Sequence, residues 1–443
     1  MKGSQVIHNL NHAGREKAIL VAAELADGSA VGVEESLAEL GLLADTAGAD
    51  VVDRLVQKRA RRDPATYVGR GFADRVAGRV RTHQADLVIF DDDLSPAQVR
   101  NLEHRIKAKI VDRSGLILDI FAERAKTREA KTQVELAQLE YLLPRLTRAW
   151  SHLSRQVGGI GTRGPGETQL EVDRRLVRNR IAELHKDLDR IERQRETQRE
   201  GRRDFFQITL VGYTNAGKSS LLNRLTGSDV FVEDRLFATL DAATRSVQLP
   251  GGPDVLITDT VGFIRKLPPG LVASFRSTLE EAVVADLLVH VVDVSHPWYA
   301  DQIESANRVL DDLDILDRPT IMAFNKIDRI KEREVEIARN DWPGAQVISA
   351  ANGFGIHELV TALVEQVRAQ QVVADVTVPQ QRQDLVSVVH ELGAVLDRAY
   401  DEHVARFTLR TTSARCGRLA ALLQDVKGAS VNMDGQPNGQ SDE

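Results

Sequence analysis

Gly212-Tyr213-Thr214-Asn215-Ala216-Gly217-Lys218-Ser219 follows directly on the apolar run Phe206-Gln207-Ile208-Thr209-Leu210-Val211. A buried strand, a glycine-rich turn and a helix beginning near Ser219-Ser220-Leu221-Leu222 form the setting of a phosphate-binding loop. Gly212 and Gly217 let the backbone approach oxygen atoms, and the N–H groups opening the helix attract negative charge. Lys218 is placed to reach β- and γ-phosphates, and the Ser219 hydroxyl to ligate Mg²⁺. The spacing alone recurs by chance; further motifs downstream, at set distances, make it specific.

Asn325-Lys326-Ile327-Asp328 follows the apolar run Thr320-Ile321-Met322-Ala323-Phe324, which sets it at a strand end. A carboxylate at Asp328 can accept both N1–H and the N2 amine of guanine. Adenine lacks that donor pair and would leave a buried Asp unpaired, so the nucleotide read here is GTP or GDP. Ser349-Ala350, after Ala345-Gln346-Val347-Ile348, is expected to close over the base and offer a backbone N–H to its O6. Alone, the Asn-Lys-x-Asp pattern would suit a solvated turn; beside the phosphate loop that reading weakens.

Two segments between these sites are placed to sense a γ-phosphate. Asp259-Thr260-Val261-Gly262 ends the apolar run Asp254-Val255-Leu256-Ile257-Thr258, with Asp259 expected to hold Mg²⁺ through water and the Gly262 N–H to meet the γ-phosphate. Leu236-Phe237-Ala238-Thr239-Leu240-Asp241 lacks periodicity, as a switch loop does. Thr239 is the choice for the second Mg²⁺-ligating hydroxyl, with Thr244 its rival. Lys218, Thr239 and Gly262 are therefore the residues expected to serve hydrolysis. After Gly262 comes Phe263, whose ring cannot orient a water molecule, so hydrolysis by the chain alone should be slow. Asn215 offers a K⁺ ligand beside the phosphates; the competing reading is that it suits a tight turn.

The elements that must position these residues read as an α/β fold of several parts. Residues 15–115 alternate strand and helix signals. Strands are expected at Lys17–Ala23, Ala49–Val56, Leu87–Phe90 and Ala108–Val111, and helices at Val33–Ala44, Gly71–His83 and Ser95–Lys107. Ser95-Pro96-Ala97-Gln98 supplies an N-cap, a first-turn proline and a Gln three residues on. Asp91-Asp92-Asp93 reads as a solvated turn in preference to a metal site. Over 116–203, Leu136, Leu139, Leu143, Leu146, Trp150 and Leu153 step by three and four, and Ile181, Leu184, Leu188 and Ile191 repeat the spacing. Two long helices should fold back as an antiparallel hairpin, with Pro144 kinking or interrupting the first. The segment Gly158 to Gly166 joins them and is longer than a helix–helix turn needs, which invites a binding role.

A P-loop GTPase domain is expected over 204–368 and a small α/β appendage over 369–426. In the appendage, strands Val372–Pro379 and Val404–Thr411 alternate with helices Gln383–Leu396 and Ala414–Leu423. The polar end, 427–443, reads as a disordered tail.

Across 443 residues the hydrophobic content is 42%, ample for several cores, and the single cysteine, Cys416, excludes a disulfide framework. No run of apolar residues is long enough to span a membrane, and Met1-Lys2-Gly3-Ser4-Gln5 carries no apolar signal core. A monomeric cytoplasmic protein is the expectation, with peripheral membrane association the one membrane role left open. The net charge of −7 conceals an uneven distribution: Arg145 to Arg203 holds fifteen Lys or Arg against nine Asp or Glu. Salt-bridged helix faces account for many of these charges. Arg163, Arg174, Arg175, Arg178 and Arg180 are candidates to contact RNA phosphates.

The chain resembles the HflX family of translational GTPases. The resemblance rests on Gly158-Gly159-Ile160-Gly161-Thr162-Arg163-Gly164-Pro165-Gly166-Glu167-Thr168-Gln169-Leu170-Glu171, on Leu236 to Asp241, on Asp259 through Pro268, and on Val88-Ile89-Phe90-Asp91-Asp92-Asp93-Leu94-Ser95-Pro96. It covers roughly residues 15 to 370. It implies association with the large (50S) ribosomal subunit and its rRNA, and an ability to split or rescue stalled ribosomes. Some relatives bind ATP through the N-terminal half; Gly69-Arg70-Gly71 is too short to support that here. A GTPase for RNA modification or ribosome assembly would present the same nucleotide site. A regulated binding module reset by hydrolysis is compatible with Phe263.

Overall fold

The computed structural model describes residues 15–25, 32–146, 169–200, 205–227, 236–237, 239–250, 254–266, 281–401, 403–424 and 426–433. Three sheets organise them. The first is parallel, in the order β2-β1-β3-β4. It is built as β1 (Glu16–Leu25), α1 (Val33–Thr46), β2 (Ala49–Arg59), α2 (Arg70–His83), β3 (Leu87–Phe90), α3 (Pro96–Ile106), β4 (Lys109–Asp112) and α4 (Arg113–Arg124). Each of the three helices expected within residues 15–115 forms, within two residues at either end. The capping box at Ser95 forms as expected, Gln98 donating its N–H to Ser95 Oγ and accepting from the Ser95 N–H.

Two helices come next, α5 (Arg128–Leu142) and α6 (Gln169–Glu200). Pro144 ends the first: α5 passes into a 3-10 turn, Leu143–Arg145, because proline can donate no hydrogen bond to the preceding turn. The pair runs antiparallel. Arg174 meets the Leu146 carbonyl near one end, and Arg195 pairs with Glu129 near the other. Leu136 and Leu184 of the expected seam are buried. Trp150, Leu153 and the glycine-rich segment with Arg163 lie outside the described residues.

The second sheet has six strands in the order β10-β9-β8-β5-β7-β6. Its elements are β5 (Phe206–Val211), α7 (Lys218–Thr226), β6 (Ala243–Gln248), β7 (Asp254–Asp259), β8 (Leu287–Asp293), α8 (Tyr299–Asp312), β9 (Thr320–Asn325), α9 (Glu332–Asp341), β10 (Gln346–Val347) and α10 (Ile356–Ala369). All its pairings are parallel except β6 with β7. Strand β8 is a near-continuous apolar run, as a strand covered on both faces must be.

The third sheet corrects the reading of the appendage. It comprises β11 (Val372–Pro379), α11 (Gln383–Leu392), β12 (Ala394–Tyr400), β13 (Val404–Thr411), α12 (Ser413–Leu423) and β14 (Ser430–Met433), antiparallel in the order β12-β13-β11-β14. The helix expected to reach Leu396 stops at Leu392. Gly393 is extended there, and Ala394 begins a strand on β13. Val395 and Leu396 continue the helical spacing, which is why periodicity overran. The stretch read as the start of a disordered tail includes β14, whose four residues are held by their ladder to β11.

Candidate functional site

The site lies where the strands of the second sheet end. Gly212 closes β5 with φ +141°, and a Cβ there would stand 2.2 Å from the Val291 carbonyl oxygen. Gly217 has φ +95°, and a Cβ would meet Asn325 Nδ2 at 2.2 Å. Both glycines are thus required by neighbouring backbone and side chain as well as by conformation. Asn215 also turns left-handed, with φ 59°. Thr214 donates its N–H to the Phe263 carbonyl (2.7 Å) and Ala216 to the Tyr213 carbonyl (3.2 Å), so those two amides serve the loop itself. The first turn of α7, at Lys218, Ser219 and Ser220, presents N–H groups that helix geometry leaves without intrahelical partners, a setting that attracts anions.

Lys218 is buried. Its Nζ donates to the carbonyls of Gly212 (3.1 Å) and Tyr213 (2.9 Å), and burial lowers its pKa to about 8. Ser219 Oγ donates to Asp259 (2.6 Å) and lies 2.8 Å from Thr239 Oγ1. Thr244, the rival, is engaged in the sheet, 3.0 Å from Thr258 Oγ1. Asp259 is buried, and its Oδ1 finds no hydrogen-bond partner among the described residues. Two hydroxyls converging beside an unsatisfied carboxylate oxygen make a hard-oxygen set that fits Mg²⁺. Gly262 is pressed against the loop: a Cβ would lie 2.4 Å from Thr214 Cα and 2.9 Å from Lys218 Nζ.

At the base end, Asn325 Nδ2 donates to the Ala216 carbonyl (2.8 Å), tying this strand end to the phosphate loop. Its Oδ1 accepts the Ala350 N–H at 2.9 Å. The Ala350 N–H, within the Ser349-Ala350 segment expected to close over the base, is thus held by Asn325 in this structure. Lys326 is left-handed and pairs with Asp293 at 2.8 Å. Ser349 Oγ donates to Asp328 Oδ1 at 2.5 Å, which fixes the carboxylate expected to read the base.

Sequence reasoning missed how the N-terminal half grips this site. Phe263 is 2% exposed and belongs to one apolar cluster with Leu40, Phe121 and Phe237, so its ring is packed away from any water. Phe237 meets Phe121 edge-on, with centroids 4.5 Å apart. Asp241 accepts from the N–H groups of Lys126 and Thr127 and from the Thr127 hydroxyl, just before α5 begins. Tyr213 donates its hydroxyl to Glu39 and accepts the Arg265 N–H. Arg113, fully buried, pairs with Glu39 and Asp91 and donates to the Arg265 carbonyl. Lys266 pairs with Asp91 and Asp92, each at 2.7 Å.

The aspartate triplet forms the expected strand-to-helix turn with Asp93 exposed, but Asp91 is buried and the turn is ion-paired as well as solvated. Asp91 and Asp92 bind cations from elsewhere in the chain, and Asp93 accepts from Ser114. Of the basic residues set aside for RNA, Arg180 is committed to Glu135 and Glu183, and Arg174 to the Leu146 carbonyl. Arg175, Arg178 and Arg180 are all exposed.

A parallel-centred sheet, a phosphate loop at its central strand and a base-reading strand end define a P-loop GTPase. Residues 207–326 match the family described as 50S ribosome-binding GTPase, 34–122 the GTP-binding GTPase N-terminal region and 124–202 the GTP-binding GTPase middle region. A protein of Caldanaerobacter subterraneus subsp. tengcongensis named GTPase HflX is 46% identical over 390 residues, covering 88% of this chain and 89% of that one. The GTPase HflX of Escherichia coli K12 is 45% identical, covering 82% and 86%. The chain belongs to the HflX family: it binds guanine nucleotide and hydrolyses GTP. Among solved structures, one described as the SsGBP and GDP complex is 25% identical and covers 80% of this chain and 99% of that one, with a TM-score of 0.44.

Proposed function

We propose that the chain associates with the large ribosomal subunit in its GTP state and splits or rescues stalled ribosomes, hydrolysis being stimulated by the subunit. The observation that carries this reading is the attachment of both nucleotide-sensing segments to the N-terminal half. Phe237 and Asp241 hold to Phe121 and Thr127, while Arg265 and Lys266 hold to Arg113, Asp91 and Asp92. A γ-phosphate that repositions Thr239 and Gly262 must then bias the placement of the first sheet and the hairpin, which differential contacts alone can do.

In this reading Lys218 supplies charge to the β- and γ-phosphates, the first turn of α7 supplies N–H donors, and Asp328 selects guanine. Ser219 and Thr239 would hold Mg²⁺ directly and Asp259 through water; the ion would neutralise charge between the phosphates. Asn215 is the residue proposed to admit K⁺. With Phe263 buried, no side chain at that position orients water, so another group or the ribosome must complete the site. Exposed Arg175 and Arg178 are the proposed rRNA contacts on α6.

The test is single-turnover GTP hydrolysis with and without purified large subunits, in the parent and in an Arg175→Glu, Arg178→Glu double variant. Stimulation in the parent that is lost in the variant, with free GTP binding intact, is the expected result. No stimulation of the parent would refute ribosome-dependent hydrolysis. Undiminished stimulation of the variant would move the RNA contact off this face of α6.

A further inference from the structure

Arg224 lies on α7, whose first turn carries Lys218 and Ser219. Its side chain crosses to the other end of the nucleotide site. Nε donates to the Ala350 carbonyl at 3.2 Å and Nη2 to the Ala351 carbonyl. The loop it grips is a closed knot: Ser349 donates its N–H to the Phe354 carbonyl at 2.9 Å, and Gly353 donates to the Ser349 carbonyl at 2.8 Å. Gly353 is left-handed, at φ +90°, and a Cβ there would stand 3.7 Å from the guanidinium carbon of Arg224.

A trans peptide is planar, so a carbonyl held in place fixes the N–H on the far side of the same plane. Pinning the Ala350 carbonyl therefore sets the direction of the Ala351 N–H, the next amide along once Ala350's own is committed to Asn325. Pinning the Ala351 carbonyl likewise sets the Asn352 N–H, which donates to Ser349 Oγ at 3.3 Å. That hydroxyl in turn donates to Asp328. Two carbonyl contacts thus reach both the loop amides and the base-reading carboxylate.

We propose that Arg224 is a positioning residue for base selection, fixing through the Ala350 and Ala351 carbonyls the loop that closes on guanine. The proposal rests on the reading of Asp328 and Ser349–Ala350 as the guanine site. It adds that one helix presents the phosphate donors at its start and secures the base-reading loop from its last turn.

The experiment compares Arg224→Ala, Arg224→Lys and Asp328→Asn with the parent by calorimetric titration of GDP and of purine riboside 5′-diphosphate. The second ligand keeps ring, ribose and phosphates but lacks O6 and the N2 amine. Arg224→Ala should weaken GDP about tenfold, the worth of one or two net hydrogen bonds, and leave the purine riboside ligand unchanged. Arg224→Lys, which keeps a cation and one reach to a carbonyl, should fall between. Equal loss for both ligands in Arg224→Ala and Arg224→Lys would mark Arg224 as merely structural and overturn the proposal. So would unaltered GDP affinity in Arg224→Ala while Asp328→Asn loses guanine. If Asp328→Asn itself keeps the parent's preference, the underlying base-site reading falls.

Discussion

At the scale of single residues, the chemistry is set by which groups can be left unpaired. Asp328 already accepts one hydrogen bond from Ser349, and its remaining oxygen capacity suits a two-donor edge. Asp328→Asn should weaken GTP by about a hundredfold, as loss of a charge-assisted contact does, and favour xanthine nucleotides, whose C2 oxygen needs a donor. Competitive binding of XTP and GTP measures this, and equal GTP affinity in variant and parent would contradict it. Lys218→Ala or Ser219→Ala should lose Mg²⁺-dependent binding or turnover. The Asn215 reading is decided by hydrolysis rates in KCl and NaCl at equal ionic strength: faster turnover in K⁺ supports it, and equal rates retire it.

At the scale of elements, burial of ionisable groups in β8 has a consequence for acid stability. His290 is 2% exposed, and burial lowers its pKa from about 6.5 to about 4. Between those values the unfolded chain binds the proton that the folded strand refuses, so stability falls as pH drops through this window, by at most about 1.4 kcal/mol per unit. Asp119, raised by burial to about 7, acts in the opposite sense over part of the same range, so the parent's own slope is composite. The informative quantity is the difference between parent and His290→Gln in urea unfolding at pH 7 and pH 5. The variant should lose less stability on acidification; an identical loss would show that His290 does not titrate in this way.

Legibility in the sequence divides along the same line between local and distant contacts. The phosphate loop, Asn325–Asp328 and Asp259–Gly262 were readable because each comes after an apolar run that can only be a strand, and the spacing of side chains along one strand end is local. Periodicity also found α1, α2 and α3 of the first sheet, but assigned no helix at Arg113–Arg124. It overran at Gly393, where Val395 and Leu396 keep a helical phase while their backbone belongs to the strand paired with β13. It missed β14 because the alternation of Ser430-Val431-Asn432-Met433 is only four residues long and the strand is specified by its ladder partner. The ionic cluster around Arg113 was illegible for a different reason. Glu39, Asp91, Arg113, Tyr213 and Lys266 are brought together by tertiary packing between distant parts of the chain, and no local pattern records that.

At the scale of the whole molecule, that cluster makes one unit of the switch segments and the N-terminal sheet. Removing one partner of a buried pair leaves an uncompensated charge, so Arg113→Ala should cost about 3–5 kcal/mol of stability by urea unfolding. A loss below about 1 kcal/mol would show that water reaches the carboxylates and that the cluster does not fasten the two halves.

If these joined halves act as one switch, GTP, and not GDP, sets the arrangement that binds the large subunit. Sedimentation through sucrose gradients with 70S ribosomes decides this, with GTP, a nonhydrolysable GTP analogue or GDP present. The expected result with GTP or the analogue is co-migration with the large-subunit peak and a shift of 70S towards separate subunits. With GDP the protein should stay free at the top of the gradient. Equal co-migration in all three nucleotide states, or none in any, would contradict a GTP-set ribosome-binding state.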